Sequence, residues 1–437
     1  MRAWERAREL AERTPEARNR YVDLLRAVSI TAVVVGHWLI AAPWVDQGRL
    51  RLDHMLGLQP WTQWLTWLFQ VMPIFFMVGG YSNAASWEAA LRSGRDYGVW
   101  VGARLRRLIA PIVPLLLFWG VLGFVAHRAG VTPPMVKIGS QAALVPIWFL
   151  AIYVLVVVLV PVTHWAWRRF GIGSFWALVA LAVLVDLARF RVGLVWFGWT
   201  NYLFVWAAVH HMGYMWKDGR LTGPTRTLVW MFGGLFLLLG LVFVAGYPLS
   251  MVGVPGEEVS NTLPPSLAML GLGMAQGGLL LTMETPARRW LRRTTAWAAT
   301  ILVNGMIMSV YLWHLTAMVL VIGLLNLLGG FGLGLQPGSG AWWATRPVWM
   351  AVLAAALFLF LVVFGRFERL SEPKTPVRLS LWRALVGSAM VCVSLALIAL
   401  DGIGAEGPLG VRVWILLLAL LGAALVGVGS RRRDAAT

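Results

Sequence analysis

Apolar residues run along this chain in long blocks, and polar residues collect in the gaps between them. Twelve blocks can be traced, near 22–42, 64–84, 108–126, 143–163, 174–188, 194–212, 227–246, 263–283, 299–326, 347–365, 382–400 and 412–429. A helix crosses the bilayer core in about 20 apolar residues. The pattern therefore predicts an all-α, polytopic membrane protein with twelve transmembrane helices. The fifth and sixth blocks are separated only by a short turn crowded with Asp186, Arg189 and Arg191.

Composition supports this reading. Charged residues make up 13% of the 437 residues and hydrophobic ones 59%, whereas a soluble domain carries about 25% charge. An ordinary soluble enzyme is excluded. A single cysteine, Cys392, forms no internal disulfide. The net charge of +18 comes from 37 Lys and Arg against 19 Asp and Glu. In a membrane chain such an excess is topological, with basic residues held on the cytosolic side, and it argues against a nucleic-acid surface. Placing the N-terminus in the cytosol puts 28 basic residues inside and 8 outside, with Arg26 within the first span. Both termini are therefore expected to be cytosolic. Almost all the basic residues are arginine, with lysine only at 137, 217 and 374. This suggests a GC-rich, actinobacterial genome and hence a bacterial plasma membrane.

The expected domain layout has four parts. Residues 1–20, in which Glu and Arg alternate without an apolar stretch, form an amphipathic cytosolic arm and not a signal peptide. Residues 21–370 form the transmembrane core, 371–430 add two helices, and 431–437 form a basic cytosolic tail. The loops near 43–63 and 327–346 are rich in Trp, Gly and Pro and are expected to cap a cavity.

Ionisable groups inside spans are costly and mark function or a paired partner. The first span carries Asp23, Arg26 and His37, and the ninth carries Asn304 and His314. His37 lies eleven residues past Arg26, about 16 Å along a helix axis. His314 enters its span to the same depth as His37. The common alternative for each is a hydrogen-bonded packing histidine, but two at one depth favour chemistry. A neutral imidazole can take a proton from a hydroxyl. His210 and His211 fall at the cytosolic end of the sixth span, where an interfacial role is expected. The cluster Arg104, Arg106 and Arg107 reads either as a topogenic signal or as a phosphate clamp, since guanidinium groups bind phosphate oxygens bidentately. The glycine loops of nucleotide-binding folds, CxxC and HExxH are all missing from the sequence, and no metal site is expected.

Several of these segments together resemble the acyltransferase-3 family of membrane acyltransferases. Asp23-Leu-Leu-Arg26, ten residues and then His37 resembles the family signature. Phe75 to Tyr81 is similar to its Phe-Phe-x-x-Ser-Gly-Phe segment, and the Arg104-to-Pro111 stretch to its basic loop. Trp148-Phe149-Leu150 and Ser309-Val-Tyr311-Leu-Trp-His314 are similar to two further family segments. Gly79 departs from the pattern, standing where the family commonly has Ser, and the last two spans exceed a ten-helix core. The resemblance implies transfer of an acyl group, often acetyl, from cytosolic acyl-CoA to a hydroxyl of a carbohydrate or lipid-linked acceptor, commonly an envelope glycan or glycolipid. It implies that His37 is the catalytic histidine with His314 in support. It also implies that Arg26, Arg104, Arg106 and Arg107 hold the donor, and that Tyr311, Trp148 and Phe149 line the central site. Asn261, in an outer loop with Glu257 and Glu258, is expected to meet the acceptor. His37 would either deprotonate the acceptor or carry the acyl group itself.

The competing reading is a proton-coupled secondary transporter, which also suits twelve helices and intramembrane histidines. Asp186 is its one acidic candidate. The second half of the chain shows no obvious repeat of the first, which counts against it.

Overall fold

The computed structural model describes residues 2–15, 18–370 and 378–429. The expected basic tail 431–437 lies outside the described residues, as does 371–377 at the start of the added C-terminal segment. Among the described residues, eight helices are long and apolar enough to cross a membrane, and ten if two sharply bent pairs each count as one span. The chain is thus a multi-pass membrane protein.

Each of the twelve apolar blocks overlaps a helix, but not every block is a full span. The sixth begins with a short 3-10 turn, Val195–Thr200, which leaves Asn201–Lys217 at 17 residues. The twelfth yields Val413–Leu425, at 13 residues. The ninth is interrupted around Gly305, between Thr294–Asn304 and Ile307–Leu327.

The described structure also departs from a purely helical one. Ala41–Asp46 and Arg49–His54 form an antiparallel hairpin, with Asp46 opposite Arg49 and Ala41 opposite His54. Gln47 and Gly48 form its two-residue turn with φ of 49° and 75°, the left-handed geometry that matches strand twist.

The residues group into two compact units. One comprises Met1–Ser86, Val160–Ile307 and Gly330–Arg346, and the other Trp87–Leu159, Met308–Gly329 and Pro347–Thr437.

In the first unit, helices approach closely through glycine, as membrane helices do where small residues allow it. A Cβ on Gly80 would run into the carbonyl of His210, and one on Gly213 into that of Met77. This brings Met72–Arg92 against Asn201–Lys217 and stacks Phe76 on Trp206 at 4.6 Å between ring centroids. Gly234 and Gly278 serve the same purpose between Pro224–Phe243 and Leu267–Thr282. The N-terminal helix Arg2–Glu12 buries Ala7 and Ala11 against Leu291, Trp297 and Ala298. Its small residues recur four apart, so one stripe packs while the charged remainder faces out.

The second unit relies on aromatic faces. Trp313 stacks on Phe364 at 4.0 Å and on Phe360 at 5.0 Å, and the edge of Phe118 closes the cluster at 5.3 Å. The helices Pro133–Leu144 and Ile147–Val158 meet at 51° around Pro146, whose ring breaks the helical ladder. Leu381–Asp401 packs along Ile147–Val158, where the Cys392 thiol meets the Ala151 carbonyl at 3.1 Å. Gly387 and Gly422 bring Val413–Leu425 against it in turn.

Candidate active site

In the first unit, Arg20–Ile40 carries Asp23 and Arg26 near its start and His37 three turns further on. Asp23 is buried and sits between two guanidinium groups, with Arg18 Nε at 2.8 Å and Arg26 Nη1 at 3.2 Å. Arg26 Nη2 also donates to Ser82 Oγ at 2.5 Å. Ser82 lies one turn past Gly79, so the second apolar helix still presents a hydroxyl, though to the arginine. Asn304 donates to the Asp23 carbonyl at 2.8 Å. His37 is partly buried in the last turn of its helix, and its carbonyl accepts the N–H of Ala41, the first hairpin residue.

Asn261 is fully buried, and its side chain serves the loop that contains it. Its amide donates to the carbonyls of Pro248 and Ser250 at 2.7 and 3.0 Å and accepts from Ser266 Oγ at 2.7 Å. The same loop is pinned by Asp186, which is buried within Ile172–Phe190. The carboxylate accepts from Asn201 Nδ2 at 2.8 Å, Tyr247 Oη at 2.9 Å and the Leu267 N–H at 2.8 Å. The acid that a proton-coupled carrier would need is thus spent on holding this loop.

His210 and His211 are packed inside the first unit. Both are almost wholly buried, with His210 Nε2 3.1 Å from Asn83 Nδ2 and His211 Nδ1 2.8 Å from the Ala207 carbonyl. The close approach of Gly80 and Gly213 packs this end of the helix against Met72–Arg92.

In the second unit, the described residues bring four of the expected groups together. Tyr311 is buried, donates its hydroxyl to the Pro146 carbonyl and lies 5.8 Å from the Phe149 ring. Trp148 and Phe149 occupy the first turn after the Pro146 break, so Tyr311 fixes the bend that presents them. His314 is fully buried, with Nδ1 2.7 Å from the Tyr311 carbonyl. A carbonyl only accepts, so Nδ1 carries the proton and Nε2 bears the lone pair. The helix that carries both residues is capped by Glu368, which accepts from the N–H groups of Met308 and Ser309 at 3.1 and 2.9 Å.

The arginine cluster lies on Tyr97–Ile109 and is not uniform. Arg107 is exposed and Arg104 is half-exposed, lying over Trp100 at 5.9 Å. Arg106 is only 5% exposed, and its Nε and Nη2 are buried without a hydrogen-bond partner among the described residues. The helical turn sends Arg106 to a different face from Arg104 and Arg107. Among the described residues, no group of three or more His, Cys, Asp or Glu is arranged to hold a metal ion.

The described helices thus carry an arginine and a histidine three turns apart in Arg20–Ile40 and a histidine bonded to the Tyr311 carbonyl in Ile307–Leu327. The acyltransferase-3 model, described as an acyltransferase domain, matches residues 19–367. The chain belongs to that family and is a membrane acyltransferase. The match takes in parts of both units and stops before Leu381–Asp401 and Val413–Leu425. No curated protein and no solved structure matches the chain.

Proposed function

We propose that the chain moves an acyl group, preferably acetyl, from cytosolic acyl-CoA to a hydroxyl of an envelope glycan or glycolipid in a bacterial plasma membrane. The observation that carries the donor assignment is Arg106. A buried guanidinium with two unpaired nitrogens is expensive, and a phosphate oxygen is the kind of partner it lacks. Arg104 and Arg107, on the same helix, add charge for the remaining phosphates of the donor.

In this reading His37 accepts the proton of the acceptor hydroxyl as its oxygen attacks the thioester carbonyl. The carbon–sulfur bond then breaks, and the imidazolium returns the proton to the departing thiolate, giving an ester and free coenzyme A. Arg26, held by Asp23 and Ser82, keeps positive charge two turns of helix or more from His37. His314 contributes through Nε2, and Tyr311, Trp148 and Phe149 shape the apolar surroundings of that nitrogen. Asn261 serves the acceptor side indirectly, by holding its loop.

The test is coenzyme A binding to detergent-purified protein by calorimetry. Arg106→Gln removes charge-assisted hydrogen bonds of about 1.5–3 kcal/mol, so affinity should fall roughly ten- to hundredfold. The melting temperature should hold or rise, because no protein partner is lost. Unchanged affinity in folded Arg106→Gln protein would return the cluster to a purely topogenic role.

A further inference from the structure

The hairpin after the first span brings a histidine back to the end of that span. Ala41 lies four residues past His37 and caps its helix by donating to the His37 carbonyl, so it stacks one turn above His37. In the hairpin register His54 is directly opposite Ala41, and side chains of directly opposed residues share one side of the ribbon, about 5 Å apart at Cβ. His54 is therefore returned to the outer end of the His37 turn, seventeen residues later in the chain.

The imidazole is not used by the hairpin. His54 precedes the short helix Met55–Leu58 without making a side-chain cap, and its Nδ1 is buried with no hydrogen-bond partner among the described residues. The surrounding polar groups are otherwise engaged. Asp53 accepts from Trp44 Nε1 at 2.6 Å, and Asp46 pairs with Arg51 at 2.8 Å. The hairpin itself is held firmly, with the Val45 N–H on the Leu333 carbonyl and Ala42 and Met55 packed on Trp342. A buried polar atom left without a partner calls for one that arrives from outside the fold.

We infer that His54 is a second imidazole at the His37 end of the first span, and that its unpartnered ring nitrogen hydrogen-bonds a polyhydroxylated acceptor and so fixes which hydroxyl meets His37. This inference rests on the acyl-transfer reading above. His54 gains and loses no proton in the reaction. The acceptor proton passes to His37 and then to the thiolate, while His54 holds a neighbouring hydroxyl. Burial pushes the His54 pKa down to about 4, so the ring is neutral at pH 7 and suited to that contact.

Two measurements on the full chain in detergent test the assignment. The first uses diethyl pyrocarbonate with peptide mass spectrometry and needs no acceptor. His54→Ala removes a ring from beside His37, so His37 should be modified several-fold faster than in the parent, while an Arg51→Ala control should match the parent. An unchanged His37 rate in folded His54→Ala protein would show that the two histidines are not neighbours and would overturn the assignment.

The second uses acetyl-CoA with glycerol as the probe acceptor, separating acetylglycerol from acetate released to water. His54→Ala should raise the KM for glycerol by about 3–10-fold, the weight of one hydrogen bond, and shift the product ratio from acetylglycerol towards acetate. His54→Gln should restore part of the loss. Parallel losses of transfer and hydrolysis, or an unchanged KM, would make His54 a packing residue and sink the proposal. A parent that binds no coenzyme A and releases neither product fails the acyl-transfer reading itself, whatever the modification experiment shows about adjacency.

Discussion

The two units solve the same problem, burying polar groups in a membrane, with different chemistry. The first uses amides and carboxylates. Asp186 gathers three donors, Asn261 bridges its own loop, and Gln276 ties the backbone of Trp67 and Gln70 at 2.9 and 3.1 Å. The second relies more on aromatic faces around Trp313 and on backbone carbonyls, among them that of Pro146, freed by a broken helix. In both units the described residues retain buried polar atoms without partners. They include Asn83 Oδ1, His54 Nδ1, Asn201 Oδ1, His210 Nδ1, His211 Nε2 and Gln276 Oε1 in the first, and two nitrogens of Arg106, His127 Nδ1 and Arg412 Nε in the second. The difference teaches where to look for function. Where the fold has satisfied a group completely, as at Asp186, the group is structural. Where it has not, a ligand or water is the missing partner.

This contrast predicts unequal responses to substitution. Asp186→Ala leaves three donors unpaired at once, and breaking a buried network of this kind costs about 3–5 kcal/mol. The variant should lose most of its folded yield and melting temperature in detergent, and a near-parental melting curve would show that the loop is held by other means. In the second unit, Trp313→Ala should cost a similar 3–5 kcal/mol through the cavity it opens. Trp313→Phe should recover most of that, because a smaller ring still stacks on Phe360 and Phe364. Equal losses for the two variants would mean that the indole contributes something other than its face. Tyr311→Phe is expected to have the smallest effect on stability, about 1 kcal/mol for one hydrogen bond. It frees the Pro146 bend while leaving His314 bonded to the backbone, so turnover should fall by more than stability does. Matched parental turnover would separate the bend from the chemistry.

Much of this was legible in the sequence, and the exceptions have physical reasons. Twelve apolar blocks marked the helices, because hydropathy reads burial in lipid well. It reads helix ends poorly, so Val195–Thr200 and Gly305 interrupt blocks that look continuous. The hairpin was read as a loop, although Gln47-Gly48 between Trp44-Val45 and Leu50-Arg51-Leu52 is a turn signal. Missing it hid His54, whose place depends on strand register. His37, His314, Tyr311, Trp148 and Phe149 could be singled out from motif and depth. The engagement of Asn261 and Asp186, and the burial of Arg106, could not, since each depends on which groups tertiary packing brings alongside.

The account depends most on His37. The direct measurement is donor turnover by purified His37→Ala protein, taken together with coenzyme A affinity and melting temperature. General acid–base catalysis contributes about 10²–10⁴-fold, so turnover should fall by at least that much, with donor affinity and folding preserved because the arginines proposed to hold the donor lie on another helix. Near-parental acyl transfer by folded His37→Ala protein would contradict the mechanism.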